Sequence, residues 1–319
     1  MHTLSLLPPL FLAGPTAVGK SAVALLLAER LGGEIISVDS MQVYRGLDLG
    51  TAKPSPVQRA QVPHHLIDVV DLGESFDAAT FVRLATTAVN EIQARGHVPI
   101  FCGGTGLYFK AYLQGLGEAP PSQAALRAEL EATPLSELLR ELEQRDPATF
   151  QKIDRLNPRR VVRAVEVIRL TGRPFSAQRA LWSQDTLNPQ PSTLNYFFGL
   201  HRTSEDLHQR IGARVDEMFR RGLVAETERL LQHGLAQNRT AMQAIGYRQV
   251  AEHLRGERPL KETIELVKVR TRQFAKRQLT WFRRQLRLQW LEVKSPDGLA
   301  AVAEECATAY RLAAEGARE

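Results

Sequence analysis

The sequence predicts an α/β protein: a P-loop-containing parallel sheet core flanked by helices, with an all-helical insertion domain. Three observations carry this expectation. Short apolar runs alternate with helix-like periodic segments from Leu10 to Cys102, as strands of a parallel sheet alternate with their crossover helices. The pattern G-x-x-x-x-G-K-[ST] falls between the first such run and the first helix, as Gly14, Pro15, Thr16, Ala17, Val18, Gly19, Lys20 and Ser21. After Gly117 the strand pattern stops, and a Pro-rich turn leads into charged amphipathic helices.

Taken in order, Leu10 to Ala13 reads as a buried strand and Ser21 to Leu31 as an apolar helix stopped by Gly32-Gly33. Glu34 to Asp39 and Leu66 to Val70 are strand candidates. Phe76 to Arg95 reads as a helix ending in Gly96, followed by the strand Val98 to Cys102. Helices are expected at Ser122 to Glu131, Ser136 to Arg145 and Asn157 to Leu170. The last has Asn157 as N-cap, Pro158 at its first position and Gly172 beyond its end. The polar run Ser183 to Ser192 reads as a return linker, Asn195 to Leu200 as a strand rejoining the sheet, and Gln289 to Val293 as a last strand. The core is therefore expected over residues 1–117 and 195–319, and the helical insertion over 118–194.

Composition excludes several classes. With 44% hydrophobic and 24% charged residues in 319, the chain can bury a sizeable core and is neither disordered nor collagenous. Its length exceeds one ordinary domain. The 2 cysteines, Cys102 and Cys306, lie too far apart for metal-ligand spacing and suggest no disulfide framework, which fits a reducing cytoplasm. The apolar start MHTLSLLPPLFLA lacks a basic flank and runs into the glycine-rich loop, so export is not expected. No stretch approaches the roughly 18 uninterrupted apolar residues of a membrane helix. A monomer is expected. The net charge of +6 is small, but Lys268, Arg270, Arg272, Lys276, Arg277, Arg283, Arg284 and Arg287 occur in one run without an acid. That is a polyanion footprint. Its interleaved Phe274, Trp281 and Phe282 read as packing residues on an amphipathic helix.

The loop residues point to phosphate. Glycines let backbone N–H groups converge on phosphate oxygens at a helix N-terminus, Lys20 adds charge, and the Ser21 hydroxyl can ligate Mg²⁺. Asp39 ends an apolar strand and reads either as a metal-shell residue or N-cap, or as a substrate-facing base. The polar, aromatic and basic segment after it suits substrate contact. Thr105 follows the strand Val98 to Cys102 between glycines that permit close backbone approach. Adjacent His64 and His65 have no third ligand near in sequence, and Cys102 reads as a small buried hydrophobe. On these residues alone a P-loop kinase and a non-catalytic RNA-binding module stay open.

GPTAVGKS, VDSMQVYRGLDLGTAKP (Val38 to Pro54), HHLIDV (His64 to Val69), GGTGLY (Gly103 to Tyr108) and AIGYRQ (Ala244 to Gln249) occur in this order. Together they resemble the tRNA dimethylallyltransferases, also called tRNA isopentenyltransferases, over nearly the whole chain. The likeness is to the bacterial type, since the C-terminal zinc finger of eukaryotic members is not seen. It implies transfer of a dimethylallyl group from dimethylallyl diphosphate to N6 of adenosine 37 in the tRNA anticodon stem-loop. It implies Asp39 as general base and Thr105 at the reacting centre. Diphosphate would be held by Gly14 to Ser21 with Arg210 and Arg214, and Mg²⁺ by Ser21. RNA contacts are implied for Asp39, Ser40, Met41, Gln42 and Thr105, for Arg127, Arg159, Arg160 and Arg163 in the insertion, and for Gly246, Tyr247 and Arg248. Attachment of the same group to a free adenine nucleotide is a rival that the helical insertion and the basic run argue against.

Overall fold

The computed structural model describes residues 7–178, 196–294 and 298–316. The expected linker Ser183 to Ser192 lies outside the described residues. The chain divides into two compact units, Met1–Leu113 with Asp185–Glu319, and Gln114–Gln184.

In the larger unit the order is β1 (Leu10–Ala13), α1 (Lys20–Leu31), β2 (Gly33–Val38), α2 (Pro56–Gln61), β3 (His64–His65), α3 (Ala78–Ala94), β4 (Val98–Gly103) and α4 (Gly106–Gln114), whose last residue enters the second unit. The second unit holds α5 (Ala124–Ala132), α6 (Leu135–Arg145), α7 (Pro147–Lys152), α8 (Pro158–Thr171) and α9 (Phe175–Gln178). The chain then returns through β5 (Phe197–His201), α10 (Ser204–Arg220), α11 (Leu223–Gln232), α12 (Tyr247–Leu254), α13 (Leu260–Gln285), β6 (Gln289–Glu292) and α14 (Gly298–Gly316).

All strand pairs are parallel, in the order β3-β2-β4-β1-β5-β6. Strand residues alternate between two covered faces, as a parallel sheet requires. Phe11, Ile36, Phe101 and Phe197 pack on one side, and Leu10, Leu12, Ile35, Ile100 and Leu200 on the other. Phe11 stacks on Phe101 at 4.9 Å between centroids, and truncating Phe101 to Ala would cost about 3–5 kcal/mol. Register decides where the chemistry collects. Ala13 and Val38 both pair with Gly103, so β1, β2 and β4 end level with one another. The residues that follow them, Gly14, Asp39 and Gly104, therefore leave the same edge of the sheet.

The smaller unit has its own core of Leu130, Leu138, Leu142, Val161, Val165 and Ile168. Asn157 caps α8 by accepting from the Arg160 N–H, and Gly172 ends it at φ 71°.

The expected strand Leu66 to Val70 is not formed. Only His64 and His65 pair with β2, and Val70 makes one bridge with Tyr44. Leu66 and Asp68 have φ of 62° and 56°, which breaks extended pairing, and Lys53 and Arg59 hold the Asp68 carboxylate. Helix α2, which the sequence reading does not anticipate, has a local cause: Ser55 and Gln58 form a capping box around Pro56.

Candidate active site

Helix α1 starts after Gly19, at φ 114°, with no side-chain cap and no acid in its first turn. Its leading N–H groups and its dipole therefore favour an anion. The loop before it is gripped through its backbone by side chains distant in sequence. Arg210 Nε donates to the Ala17 carbonyl at 3.0 Å, Arg202 Nε to the Val18 carbonyl at 2.8 Å, and the Thr16 N–H donates to Gln278 Oε1 at 2.9 Å. Ala17 is held at φ 65°, a conformation costing an L-residue about 1–2 kcal/mol that these bonds offset. A Cβ at Gly14 would lie 2.7 Å from the Leu200 carbonyl, so the loop can pass this close to β5 only as glycine.

Lys20 Nζ donates back to the Pro15 carbonyl at 2.7 Å. Burial pushes its pKa down to about 8; the neighbouring Arg214 charge adds to the effect, and Cys102 and Asp39 oppose it. Arg214 makes no hydrogen bond or ion pair among the described residues. Burial lowers its pKa, with Asp39 opposing and Arg210 adding. Two cations thus face Asp39 without a committed partner carboxylate. Cys102, at the end of β4, is buried and its thiol is pushed up to about 11, which makes it inert at neutral pH.

Asp39 Oδ1 accepts from the N–H groups of Met41 at 2.8 Å and Gln42 at 3.3 Å, and its Oδ2 accepts no bond among the described residues. The Ser40 N–H donates to Thr105 Oγ1 at 3.1 Å, while the Gly104 and Thr105 N–H groups donate to the Val38 carbonyl. The two strand ends are cross-tied, which holds the Asp39 and Thr105 segments together. Ser21 is exposed at the start of α1, and no group of three or more His, Cys, Asp or Glu able to hold a metal occurs among the described residues.

The residues expected to meet RNA fall into different settings. Gln42 is committed internally: its amide donates to the Thr51 carbonyl and accepts from Ser37 Oγ. Tyr247, for which an RNA contact is implied by the resemblance, is fully buried and makes internal bonds. Its hydroxyl donates to Glu226 and accepts from the Gly50 N–H, and Glu226 also receives the N–H groups of Asp48 and Leu49. Gly246 is buried at φ 101°, and Arg248 is exposed and paired with Glu252. In the smaller unit, Arg127 and Arg163 both bond the fully buried Glu166 carboxylate, which Ser122 also reaches, so these two cations hold the packing of that unit. Arg159 and Arg160 lie exposed on the first turn of α8.

Helix α13 carries most of the acid-free run. Lys268 is neutralised by Asp216 at 2.8 Å and Glu265 at 2.9 Å. Lys276, Arg277 and Arg284 have no ion-pair partner among the described residues and line, with Gln273, Thr280 and Trp281, a cavity of about 510 Å³. A second cavity of about 890 Å³ is lined by Lys53, Pro54, Arg59, Asp68, Arg214 and Glu226, among others. Sequence reasoning missed Gln278, Arg202 and Glu226. The signal for Gln278 was present: it is a polar residue at helical spacing among the buried positions Val267, Ala275 and Phe282.

A phosphate-binding loop after an inner strand of a parallel sheet, with an acid and a hydroxyl leaving the same sheet edge, places the chain among P-loop proteins that act beside a bound phosphate group. The comparisons are narrower. The family profile described as IPP transferase matches residues 42–285. The chain is 41% identical over 305 residues to a tRNA dimethylallyltransferase of Pelotomaculum thermopropionicum, covering 94% of this chain and 95% of that one. It is 46% identical over 284 residues to that of Geobacter metallireducens, covering 88% and 90%. The tRNA isopentenylpyrophosphate transferase structure from Bacillus halodurans superposes with a TM-score of 0.70 at 37% identity, covering 98% of this chain and all of the other. A eukaryotic dimethylallyltransferase described as acting on tRNA gives 0.71 at 29% identity, covering 91% and 75%. This chain belongs to the tRNA dimethylallyltransferase (IPP transferase) family.

Proposed function

We propose that the protein transfers a dimethylallyl group from dimethylallyl diphosphate to N6 of adenosine 37 in the tRNA anticodon stem-loop, releasing diphosphate. The observation that carries this reading is the pairing of an uncapped α1 N-terminus with an Asp39 oxygen that no protein group engages among the described residues. One suits an anionic leaving group and the other a proton.

In this reading the loop Gly14–Ser21, Lys20 and Arg214 hold the diphosphate, with Arg210 bracing the loop. The bond between the allylic carbon and the bridging oxygen breaks, and the negative charge gathered on diphosphate is stabilised by these groups. The carbon bonds to adenine N6, whose lone pair is delocalised and whose proton must leave as the bond forms. Asp39 Oδ2 takes that proton. The Thr105 hydroxyl, its oxygen already receiving the Ser40 N–H, has its own hydrogen left to orient the bridging oxygen or the amine. Mg²⁺, when bound, would neutralise diphosphate charge, and the exposed Ser21 hydroxyl together with the substrate's own phosphates suits it, since this ion rarely uses an all-protein cage. Arg159, Arg160, Lys276, Arg277 and Arg284 supply phosphate contacts to the RNA. The site of action would be the cytoplasm, and the acting form a monomer.

The test is nucleoside mass spectrometry of an A36-A37 tRNA incubated with the protein, dimethylallyl diphosphate and Mg²⁺. The expected product gains one dimethylallyl group on adenosine 37. Asp39→Asn should lower kcat about 10²–10⁴-fold with both substrates still bound. ATP-dependent phosphorylation without prenyl transfer, or transfer to AMP as good as to tRNA, would overturn the reading.

A further inference from the structure

Gln278 lies on α13, far in sequence from the loops above, and is 8% exposed. Its amide meets two of them at once. Oε1 accepts from the Thr16 N–H at 2.9 Å, inside the phosphate loop, and Nε2 donates to the Gly104 carbonyl at 2.9 Å, one residue before Thr105. The amide orientation is chemically forced, because a backbone N–H can only donate and a carbonyl can only accept. The approach is close: a side chain at Gly104 would have to displace the Gln278 amide, and one at Gly106 the Trp281 ring. A Cβ at Gly104 would lie 2.3 Å from Gln278 Nε2, and one at Gly106 would lie 2.1 Å from the Trp281 ring, nearly one turn further along α13. Helix α13 is therefore seated directly on the segment carrying Thr105.

We infer that Gln278 is a positioning residue: it holds the phosphate loop and the Thr105 segment in one register, so that the leaving group and the hydroxyl stay aligned while neither touches Gln278. Gln42, the amide beside Asp39, is used instead by Ser37, Thr51 and Ala52. Both backbone groups are partly buried, and leaving either unpaired carries a desolvation penalty. The inference rests on the prenyl-transfer reading for its kinetic consequences and on geometry alone for its structural ones.

Two substitutions separate the outcomes. Gln278→Met keeps the side-chain length and removes both bonds. It should lower kcat by about 10- to 100-fold, with KM for dimethylallyl diphosphate and tRNA affinity changing far less. Gln278→Glu accepts from Thr16 in either protonation state but donates to Gly104 only when protonated. Its activity relative to the unsubstituted protein should therefore rise as pH falls toward the range in which a carboxyl protonates. Hydrogen exchange of peptides spanning residues 14–21 and 103–107 should accelerate together in Gln278→Met, a readout independent of any activity. An unchanged kcat in folded Gln278→Met, a flat relative pH profile for Gln278→Glu, or acceleration confined to one loop would overturn the inference. If the unsubstituted protein fails to bind dimethylallyl diphosphate while both loops still loosen together, the functional reading fails and the brace stands.

Discussion

The backbone N–H of Ser40 donates to Thr105 Oγ1 at 3.1 Å, joining the residue after Asp39 to the residue two beyond the end of β4. One lone pair of the hydroxyl is thereby used to fix its orientation, and its hydrogen is directed elsewhere. Thr105→Ser keeps this arrangement and should retain activity within several-fold. Thr105→Val removes donor and acceptor together, leaves the Ser40 N–H unpaired, and should lower kcat about 10²–10³-fold, as loss of one preorganised donor does. Steady-state kinetics on both variants checks the pair.

Lys20 predicts a pH dependence of diphosphate binding. Its pKa is about 8 without ligand, because burial disfavours its charge. A bound diphosphate favours the charged form and raises that pKa, so binding takes up a proton. The dissociation constant of dimethylallyl diphosphate should be level below pH 7 and weaken by about tenfold per unit above 8, where the free protein has lost the proton. Calorimetry in buffers of different ionisation enthalpy reads the uptake directly. Lys20→Met should abolish it and weaken binding about 10- to 100-fold.

Tyr247 is expected to behave as a structural residue. Its hydroxyl spans Glu226 and the Gly50 N–H in a buried setting. Tyr247→Phe should cost roughly 1–3 kcal/mol of stability, seen as a lower thermal midpoint. The salt dependence of tRNA binding should be unchanged. A steep loss of RNA affinity at full stability would show that the ring is reached by RNA after all.

The cations of α13 should divide by their partners. Lys276 and Arg277 have no carboxylate to leave, and the Lys276→Ala, Arg277→Ala double substitution should reduce the slope of log affinity against log salt by about 0.7 for each RNA phosphate no longer neutralised. Lys268 already faces Asp216 and Glu265, so Lys268→Ala should leave the slope where it was. Diphosphate binding should show a shallower salt slope than tRNA binding throughout.

In the sequence, the site was legible wherever one local pattern carries its own chemistry. Gly14 to Ser21 announces a phosphate loop because the glycines, the lysine and the strand-to-helix context are contiguous. Asp39 and Thr105 stood out because one ends and the other follows a strand that reads as apolar, while their roles were implied only by the family resemblance. Leu66 to Val70 misled because its composition is strand-like while Leu66 and Asp68 take positive φ under constraints from Lys53 and Arg59. Arg127 and Lys268 read as cations offered to RNA because a charge shows in sequence while a distant partner does not: Glu166 meets Arg127 and Asp216 meets Lys268 only in space.

The amino-acid order alone determined the alternation of strands and helices, the phosphate loop and its family, because periodicity, glycine placement and contiguous motifs are properties of neighbouring residues. Tertiary structure decided the rest: the level ends of β1, β2 and β4 that bring Gly14, Asp39 and Thr105 together, the grip of Arg202, Arg210 and Gln278 on one loop, and which charges are spent internally. Those depend on meetings between residues far apart in the chain, such as the 262 positions from Thr16 to Gln278, and become definite only when the core packs.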